Sequence, residues 1–189
     1  MAVKLVKPIN HKNVVKITNQ DFEAKMRELR VNSDIALAVS GGPDSLALMH
    51  LSNRYALNNS INLTVLSIDH GIRAESSKEI VWLEKIAKKN KINFYSTKLK
   101  KKINSSNTLS KARTLRYEAL SKYCEKKKIK FLLTAHHLDD EIENFLMRLV
   151  RGSGIKGLSS LKAKSRYKNT KLILVRPLLE YSKKSLIQY

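Results

Sequence analysis

The sequence has little cysteine, proline and glycine, few acidic residues and no long hydrophobic run. Its single cysteine, Cys124, excludes an internal disulfide and a zinc site built from several cysteines of this chain. Cys124 also lies near the apolar stripe of a predicted helix, which indicates a core residue. No apolar run approaches the roughly 18 residues that a membrane helix needs, and the first residues lack the apolar core of a secretory signal. These absences predict a cytoplasmic protein without a membrane partner.

Positive charge is what the sequence has in excess. Its 189 residues include 37 Lys and Arg against 16 Asp and Glu, which gives a formal net charge of +21. Such an excess attracts polyanions and speeds their encounter with the protein. Nucleic acid is therefore the expected partner, with an affinity that falls as the salt concentration rises. A lysine-rich surface that serves only solvation is the alternative, because charge alone identifies no specific site.

Short apolar runs alternate with longer amphipathic segments, which is typical of a parallel sheet covered by helices. Strands are predicted at 35–39, 63–68, 92–98, 130–135 and 172–175, and helices at 46–57, 76–89, 109–127 and 138–150. The last of these helices is expected to bury Ile142, Phe145 and Leu149. The predicted fold is an α/β protein with an open parallel five-stranded sheet and helices on both faces. Residues 1–30 are assigned to a basic extension with a lead-in helix, and residues 31–189 to the main domain.

The segment SGGPDS lies between the first predicted strand and the first predicted helix. Its two glycines let the backbone approach an oxyanion, its serines offer hydroxyl donors, and the free N–H groups of the helix start point to the same place. A carboxylate beside phosphates requires a bridging cation, most simply Mg²⁺. An ordinary strand-to-helix turn is the structural alternative. The candidate phosphate-binding residues are Ser40, Gly41, Gly42, Pro43, Asp44 and Ser45, with Asp44 as the metal ligand.

Polar residues also follow the second, fourth and fifth predicted strands, at the edge where open α/β sheets bind their ligands. Asp69 ends the second strand, where it is a candidate ligand residue, with a plain turn residue as the alternative. Two histidines and two aspartates follow the fourth strand, either as a metal site or as a helix start with favourable acids. The lack of further cysteines favours Mg²⁺ and acid–base chemistry over zinc. Arg113 and Arg116 share one side of a helix, unless they belong to a solvated basic face.

The SGGPDS segment resembles the PP-loop of the ATP-pyrophosphatases, which cleave ATP between the α- and β-phosphates and leave AMP on a substrate oxygen. Further motifs, in the same order and spacing, resemble those of tRNA(Ile)-lysidine synthetases. They are Asp69–Arg73 (DHGIR), Ala112–Tyr117 (ARTLRY), Ala135–Asn144 (AHHLDDEIEN), Arg151–Leu158 (RGSGIKGL) and Val175–Leu179 (VRPLL). The sequence departs from the family pattern at Glu141 and Asn144, which stand where the family has Gln and Thr.

The resemblance implies a Rossmann-like adenine nucleotide α-hydrolase fold, ATP and Mg²⁺ as cofactors, and tRNA(Ile) with a CAU anticodon and free L-lysine as partners. It implies catalytic roles for Asp44, Arg113, Asp140 and Arg176. ATP binding is implied for the loop residues and for Asp69, His70, Arg73 and His136. Contacts to tRNA or lysine are implied for Arg116, His137, Asp139, Arg148 and Arg151.

Two rival functions stay open at this point. A 2-thiocytidine synthetase of the same family needs cysteines for a cluster, and the single cysteine argues against it. A non-catalytic basic RNA-binding module would tolerate the loss of Asp44, Asp139 and Asp140, yet all three are present. The C-terminal tRNA-binding domains expected of the family are absent from this chain, and the oligomeric state stays open, with a dimer as one option.

Overall fold

The computed structural model describes residues 15–69, 76–98, 108–152 and 161–189. Its helices are α1 (Asn19–Glu28), α2 (Pro43–Asn58), α3 (Ser76–Lys89), α4 (Thr108–Lys126), α5 (Leu138–Val150) and α6 (Lys183–Gln188). Its strands are β1 (Ile35–Ala38), β2 (Leu63–Asp69), β3 (Asn93–Lys98), β4 (Phe131–Thr134), β5 (Lys164–Arg166) and β6 (Ile173–Val175). Among the described helices, none combines the length and the apolar character needed to span a membrane.

The strands form one sheet in the order β3-β2-β1-β4-β6-β5. The first five strands in this order run parallel, and β1 lies between them, with Ile35 paired to both Leu63 and Phe131. This confirms the predicted parallel sheet. The predicted number of five strands is wrong, because β5 adds an antiparallel edge strand beside β6. Its sequence, Lys-Ser-Arg, is polar and only partly buried, so no apolar pattern predicts it.

Side chains of the central strands alternate between two hydrophobic cores, as the two-residue period of a strand requires. Ile35, Leu37 and Val39 face a core that α1, α2, α3 and α6 cover. Ala36 faces a second core, to which α4 contributes Tyr117, Leu120 and the fully buried Cys124. Helices therefore cover both faces of the sheet, as predicted.

The burial of Cys124 decides its chemical character. Its side chain is fully buried, and burial raises the pKa of the thiol to about 12. The thiolate is the reactive and metal-binding form of cysteine, so a thiol with this pKa is neither nucleophile nor ligand near neutral pH. The prediction of Cys124 as a core residue is confirmed.

Helix α1 is anchored in the first core rather than projecting from it. Thr18 caps the helix, since its hydroxyl accepts the N–H of Asp21, and Phe22 and Met26 are buried one turn apart. The Phe22 ring meets the Tyr55 ring of α2 edge to face, with 6.4 Å between centroids. The lead-in helix thus shares the core of the sheet, and the assignment of residues 1–30 to a separate region stays a prediction.

Helix α5 differs from its prediction. Ile142, Phe145 and Leu149 are 45%, 45% and 53% exposed, and α5 contains no buried residue. The expectation that these side chains are buried is wrong. Helical spacing shows that apolar side chains share one face of a helix, but it does not show which surface, if any, covers that face.

Candidate active site at the carboxyl edge of the sheet

The loop between β1 and α2 has the conformation that its glycines permit. Gly41 has a φ of +89°, a region in which only glycine is free of strain. A Cβ atom at Gly41 would lie 3.8 Å from Leu83 Cδ1, which is an ordinary contact, so conformation rather than crowding requires this glycine. Gly42 is the N-cap of α2 and Pro43 is its first residue. The free N–H groups of α2 therefore open onto this loop.

Ser45 fastens the loop to the helix. Its hydroxyl donates to the Gly42 carbonyl at 2.8 Å and accepts the backbone N–H of Ser40 at 3.4 Å. The Ser45 side chain is buried and engaged within the loop. The hydroxyl of Ser45 thus holds the loop in shape, while Ser40 borders the open space in front of it.

A cavity of about 300 Å³ opens at this edge of the sheet, a size at the lower end for ligand pockets. The cavity is lined by the loop and the start of α2, by parts of α3 and α4, and by the β4–α5 junction. Leu66, Ile68, Ile80 and Leu83 supply an apolar part, which suits a flat ring. The polar part of the lining includes His136 and His137. The cavity therefore offers an apolar compartment next to a loop suited to phosphate.

His137 lies at the centre of a group of carboxylates. Its Nε2 atom is 3.6 Å from the Oδ2 atoms of both Asp44 and Asp140, and its Nδ1 atom is 3.6 Å from Asp139 Oδ2. The imidazole is buried, and its Nδ1 has no hydrogen-bond partner within the described part of the chain. The β4–α5 junction and the start of α2 thus bring three predicted aspartates around one histidine.

The Asp44 carboxylate keeps a buried oxygen for another partner. Its Oδ1 atom has no hydrogen-bond partner among the described residues. Buried polar atoms are normally satisfied, and a cation bound at Oδ1 would satisfy this one. No group of three or more His, Cys, Asp or Glu in the described ranges is arranged to hold a metal. A Mg²⁺ ion at Asp44 would therefore take most of its ligands from water and phosphate, as Mg²⁺ commonly does.

The two aspartates at the start of α5 have different surroundings. Asp140 Oδ2 accepts the backbone N–H of His137 at 2.9 Å, and its side chain borders the cavity. Asp139 Oδ2 accepts the backbone N–H of Lys183 at 2.7 Å, and Leu138 N–H donates to the Tyr181 carbonyl at 2.9 Å. Asp139 therefore ties α5 to the start of α6, and Asp140 is the acid that faces the cavity.

His136 is held between a hydroxyl and a guanidinium. Its Nδ1 lies 2.8 Å from Thr134 Oγ1, and its Nε2 lies 3.2 Å from Arg113 Nη2. Burial, followed by the charges of Arg176 and Arg113, lowers the pKa of His136 to about 4. His136 is consequently neutral near pH 7, and it accepts a hydrogen bond from Arg113.

Three arginines, Arg113, Arg116 and Arg176, lie near His136, and of these Arg116 lines the cavity. The guanidinium carbons of Arg113 and Arg116 lie 5.8 Å and 5.6 Å from the centroid of the Tyr117 ring, which confirms that the two share a side of α4. Tyr117 stacks on Tyr167 at 5.8 Å, and both Arg116 and Tyr117 line the cavity. Arg116 therefore brings positive charge to the lining of the cavity, and Arg113 adds positive charge beside His136.

Arg176 is the buried member of this group. Its Nη1 donates to the Lys162 carbonyl at 2.8 Å and to Ser165 Oγ at 3.1 Å, and burial lowers the pKa of the guanidinium. Its Nε is buried without a hydrogen-bond partner within the described residues. The β5–β6 hairpin thus orients Arg176 and leaves one donor for a further group.

Other predicted residues lie away from the cavity or outside the described ranges. Asp69 is buried at the end of β2, where its Oδ2 is 3.8 Å from Lys98 Nζ, and it does not line the cavity. Arg148 lies ten residues into α5, about 15 Å along the axis from its start, and Arg151 is exposed at the C-cap. The structure therefore does not bring these arginines to the cavity. His70 and Arg73 lie outside the described residues.

Thr134 and the α3 residues of the cavity were not predicted from the sequence. Thr134 and His136 are two residues apart at a strand end, so their side chains leave the chain on the same face, and this spacing could have revealed the pair. Glu79 and Ile80 of α3 also line the cavity. Their sequence does not mark them as site residues, because only the packing of α3 against the sheet brings them there.

The PP-loop domain family matches residues 12–189 of this chain. A tRNA(Ile)-lysidine synthase of Rickettsia bellii is 45% identical over 157 residues, which are 83% of this chain and 36% of the relative. A tRNA(Ile)-lysidine synthase of Rickettsia typhi is 40% identical over 173 residues, which are 90% of this chain and 40% of the relative. The chain thus spans well under half the length of these curated relatives.

Two solved structures share the fold. A U34-tRNA thiolase from Methanococcus maripaludis superimposes with a TM-score of 0.73 at 23% identity, over 89% of this chain and 62% of the thiolase. An FMN adenylyltransferase from Candida glabrata gives a TM-score of 0.53 at 14% identity, over 89% of this chain and 54% of that enzyme. At such identities the likeness concerns the fold alone. From the family match and the loop geometry together, this chain belongs to the PP-loop domain family.

Proposed function

We propose that the chain is the catalytic domain of a tRNA(Ile)-lysidine synthase, acting in the cytoplasm on tRNA(Ile) with a CAU anticodon. The observation that carries the proposal is the buried Oδ1 of Asp44 beside the glycine loop, which has no hydrogen-bond partner among the described residues, in a cavity that Arg116 also lines. This pairing suits a nucleotide whose phosphates need both a cation and fixed positive groups. The names of the Rickettsia relatives support the choice of tRNA as the second substrate.

The proposed reaction has two steps. The C2 oxygen of the wobble cytidine attacks the α-phosphorus of ATP, a P–O bond to the β-phosphate breaks, and pyrophosphate leaves. The ε-amine of free L-lysine then attacks C2, the C2–O bond breaks, and AMP leaves with that oxygen while the amine loses a proton. The first step makes a leaving group from an oxygen that would otherwise not leave.

The phosphate loop and the arginines near His136 have different roles in this reaction. The N–H groups at the start of α2 and the loop around Gly41 and Gly42 receive phosphate oxygens, and Ser45 keeps the loop in place. Mg²⁺, when bound at Asp44, would screen the negative charge of the phosphates. Arg113 and Arg176, which lie near His136, meet the charge that develops during adenylation, and neutral His136 orients Arg113.

Asp140 is the proposed base or lysine anchor. Its side chain borders the cavity and is one-third exposed, so a cationic amine can reach it from solvent. A carboxylate at this place can bind the lysine ammonium and accept its proton before attack. Asp139, which accepts Lys183 N–H, supports the helix start instead.

The 2-thiocytidine alternative finds no support in the described residues. Cys124 is the only cysteine of the sequence, and it is fully buried in the core beneath α4 with a raised thiol pKa. A cluster-dependent thiolase needs accessible thiolates. Lysine transfer requires no such residue, and this favours the lysidine reaction.

The proposal is tested by incubating the protein with ATP, Mg²⁺, lysine and a CAU-anticodon tRNA(Ile) transcript. We expect AMP and pyrophosphate as the nucleotide products, and an RNA whose wobble nucleotide gains the mass of one lysine less one water. Without lysine, adenylated RNA should accumulate. Asp44→Asn should abolish both steps while the circular dichroism spectrum stays unchanged. ADP and orthophosphate as main products would contradict the proposal.

A further inference from the structure

One face of α3 carries a stripe of three lysines and the only tryptophan of the sequence. Lys78, Trp82, Lys85 and Lys89 stand at spacings of four, three and four residues, so their side chains share one side of the helix. All four are exposed, and Trp82 is 46% exposed. We name these four residues the α3 stripe. They are fixed toward solvent because the opposite side of α3 is packed into the core.

The packing of α3 fixes this orientation. Leu83 and Ala87 are buried against the sheet and belong to the first core. The acidic residues Glu79 and Glu84 lie on the flanks of the helix, between the buried face and the stripe. The stripe itself therefore carries only positive charge and one aromatic ring.

The stripe begins beside the phosphate loop. Trp82 Cζ3 lies 3.9 Å from the position that a Cβ atom of Gly41 would occupy, so the indole borders the loop. Glu79, Ile80 and Leu83 on the adjacent part of α3 line the cavity. From Lys78 to Lys89 the stripe extends about 16 Å along the helix axis. It thus forms a path that leads from the surface to the mouth of the cavity.

Lysines alone on an exposed helix would indicate no more than a solvated face. The exposed indole is what changes this interpretation, because half of a large apolar ring is left in water at the edge of the cavity. Lysines that flank an exposed aromatic ring are typical of surfaces that bind single-stranded nucleic acid, where bases stack and phosphates are neutralised. The net charge of +21 is complementary to such a polyanion.

We propose that the α3 stripe binds a single-stranded segment of the RNA substrate and leads it to the cavity. One base stacks on the indole of Trp82, and the phosphates that follow contact Lys85 and Lys89. The binding tolerates sequence, because every base has a face that can stack. The inference rests on the proposed function only for the identity of the RNA.

Trp82 itself supplies the readout, since no other tryptophan contributes to the fluorescence of the protein. The probe is a stem-loop RNA with an unpaired CAU-containing loop, titrated without ATP or lysine. We expect the loop RNA to quench Trp82 fluorescence, and a fully paired duplex of equal length to leave it nearly unchanged. An unchanged signal on saturation with the loop RNA would overturn the proposal.

Charge variants test the phosphate contacts. Lys85→Ala combined with Lys89→Ala should weaken loop-RNA binding roughly tenfold and reduce the slope of log K against log salt by about 1.4. The matched control is Lys126→Ala with Lys127→Ala, two exposed lysines at the end of α4, which should change the affinity much less. If both double variants lose the same affinity for the loop RNA, the lysines of the α3 stripe form only a solvated face and the proposal is overturned.

Aromatic variants test the stacking by a second measurement, fluorescence anisotropy of labelled RNA. Trp82→Ala should weaken binding at least fivefold, and Trp82→Phe should retain most of the affinity because it keeps a ring. Melting curves of both variants check the fold. If the wild type releases pyrophosphate with tRNA but Trp82→Ala binds RNA as tightly as the wild type, only the proposal about the α3 stripe is contradicted. If the variants show that RNA binds through the α3 stripe but no AMP forms, only the proposed function is contradicted.

Discussion

The Nη2 atom of Arg113 lies 3.2 Å from Nε2 of His136, and this contact fixes the tautomer of the histidine. A guanidinium can only donate, so Nε2 must accept and the proton of the neutral ring resides on Nδ1. Nδ1 in turn donates to Thr134 Oγ1 at 2.8 Å. A chain of three side chains therefore links the end of β4 to a predicted catalytic arginine on α4.

The first prediction concerns Thr134, which acts through its neighbours. Thr134→Val removes the acceptor of the Nδ1 proton and leaves a buried donor unpaired, so the orientation of His136 and Arg113 is lost. We expect single-turnover adenylation to slow about tenfold, with little change in the affinity for ATP. Thr134→Ser keeps the hydroxyl and should retain most of the rate.

A purely structural role of Thr134 can be distinguished by nitrogen NMR of the histidine ring. In the wild type the Nδ1 position should carry the proton, and in Thr134→Val the two tautomers should mix. A slower reaction without any change in the ring signals would show that Thr134 affects packing only.

The second prediction concerns stability against pH. The pKa of His136 is about 4 in the folded protein, against about 6.5 in an unfolded chain. Below pH 6.5 the unfolded state binds a proton that the folded state does not, so stability falls as the pH drops from about 6.5 to about 4. The loss from this group is at most about 3 kcal/mol.

The measurement is urea denaturation at about pH 7 and about pH 5. His136→Gln should be less stable than the wild type at the higher pH, and its stability should change less between the two. His50→Gln, at an exposed histidine of α2, is the control and should keep the wild-type pH dependence. If the free energy of unfolding of His136→Gln depends on pH as that of the wild type does, His136 is not the cause of this dependence.

The third prediction separates the two arginines of α4. Arg113 contacts His136 and is assigned to the charge that develops in adenylation, so Arg113→Ala should lower kcat by about a hundredfold or more. Arg116 is assigned to RNA, so Arg116→Ala should raise KM for tRNA and leave kcat nearly unchanged. Lysine at position 113 should restore only part of the rate, because it lacks the planar fork.

Single-turnover adenylation at saturating tRNA measures both variants. Because Arg116 lines the cavity while Arg113 reaches it through His136, the structure allows the roles to be exchanged. A normal kcat for Arg113→Ala together with a low kcat for Arg116→Ala would establish that exchange.

The fourth prediction separates Asp139 from Asp140. Asp139 accepts Lys183 N–H across the α5–α6 contact, so Asp139→Ala should lower the free energy of unfolding by about 1 kcal/mol and leave the KM for lysine nearly unchanged. Asp140→Asn, in contrast, should raise the KM for lysine or slow its attack while adenylation continues. A lysine defect in Asp139→Ala would make Asp139 a substrate ligand.

The sequence determined the parts whose chemistry is local. The buried strands follow from short apolar runs, and the loop at Gly41 follows from a conformation that only glycine adopts freely. The placement of Asp44 and His136 at one edge also follows, because parallel strands end at the same side of a sheet. These inferences need only the chain direction and the period of each element.

Tertiary structure alone decided what depends on contacts between distant segments. The polar strand β5 forms because β6 offers it an edge, and its own sequence gives no sign of this. Asp139 and Asp140 are neighbours in the chain, yet the approach of α6 engages one and leaves the other facing the cavity. Likewise, spacing places Ile142 and Phe145 on one face of α5, but only the packing of the chain shows that this face remains exposed. Periodicity defines the sides of an element, and the elements that pack against them define which side is a core, a site or a surface.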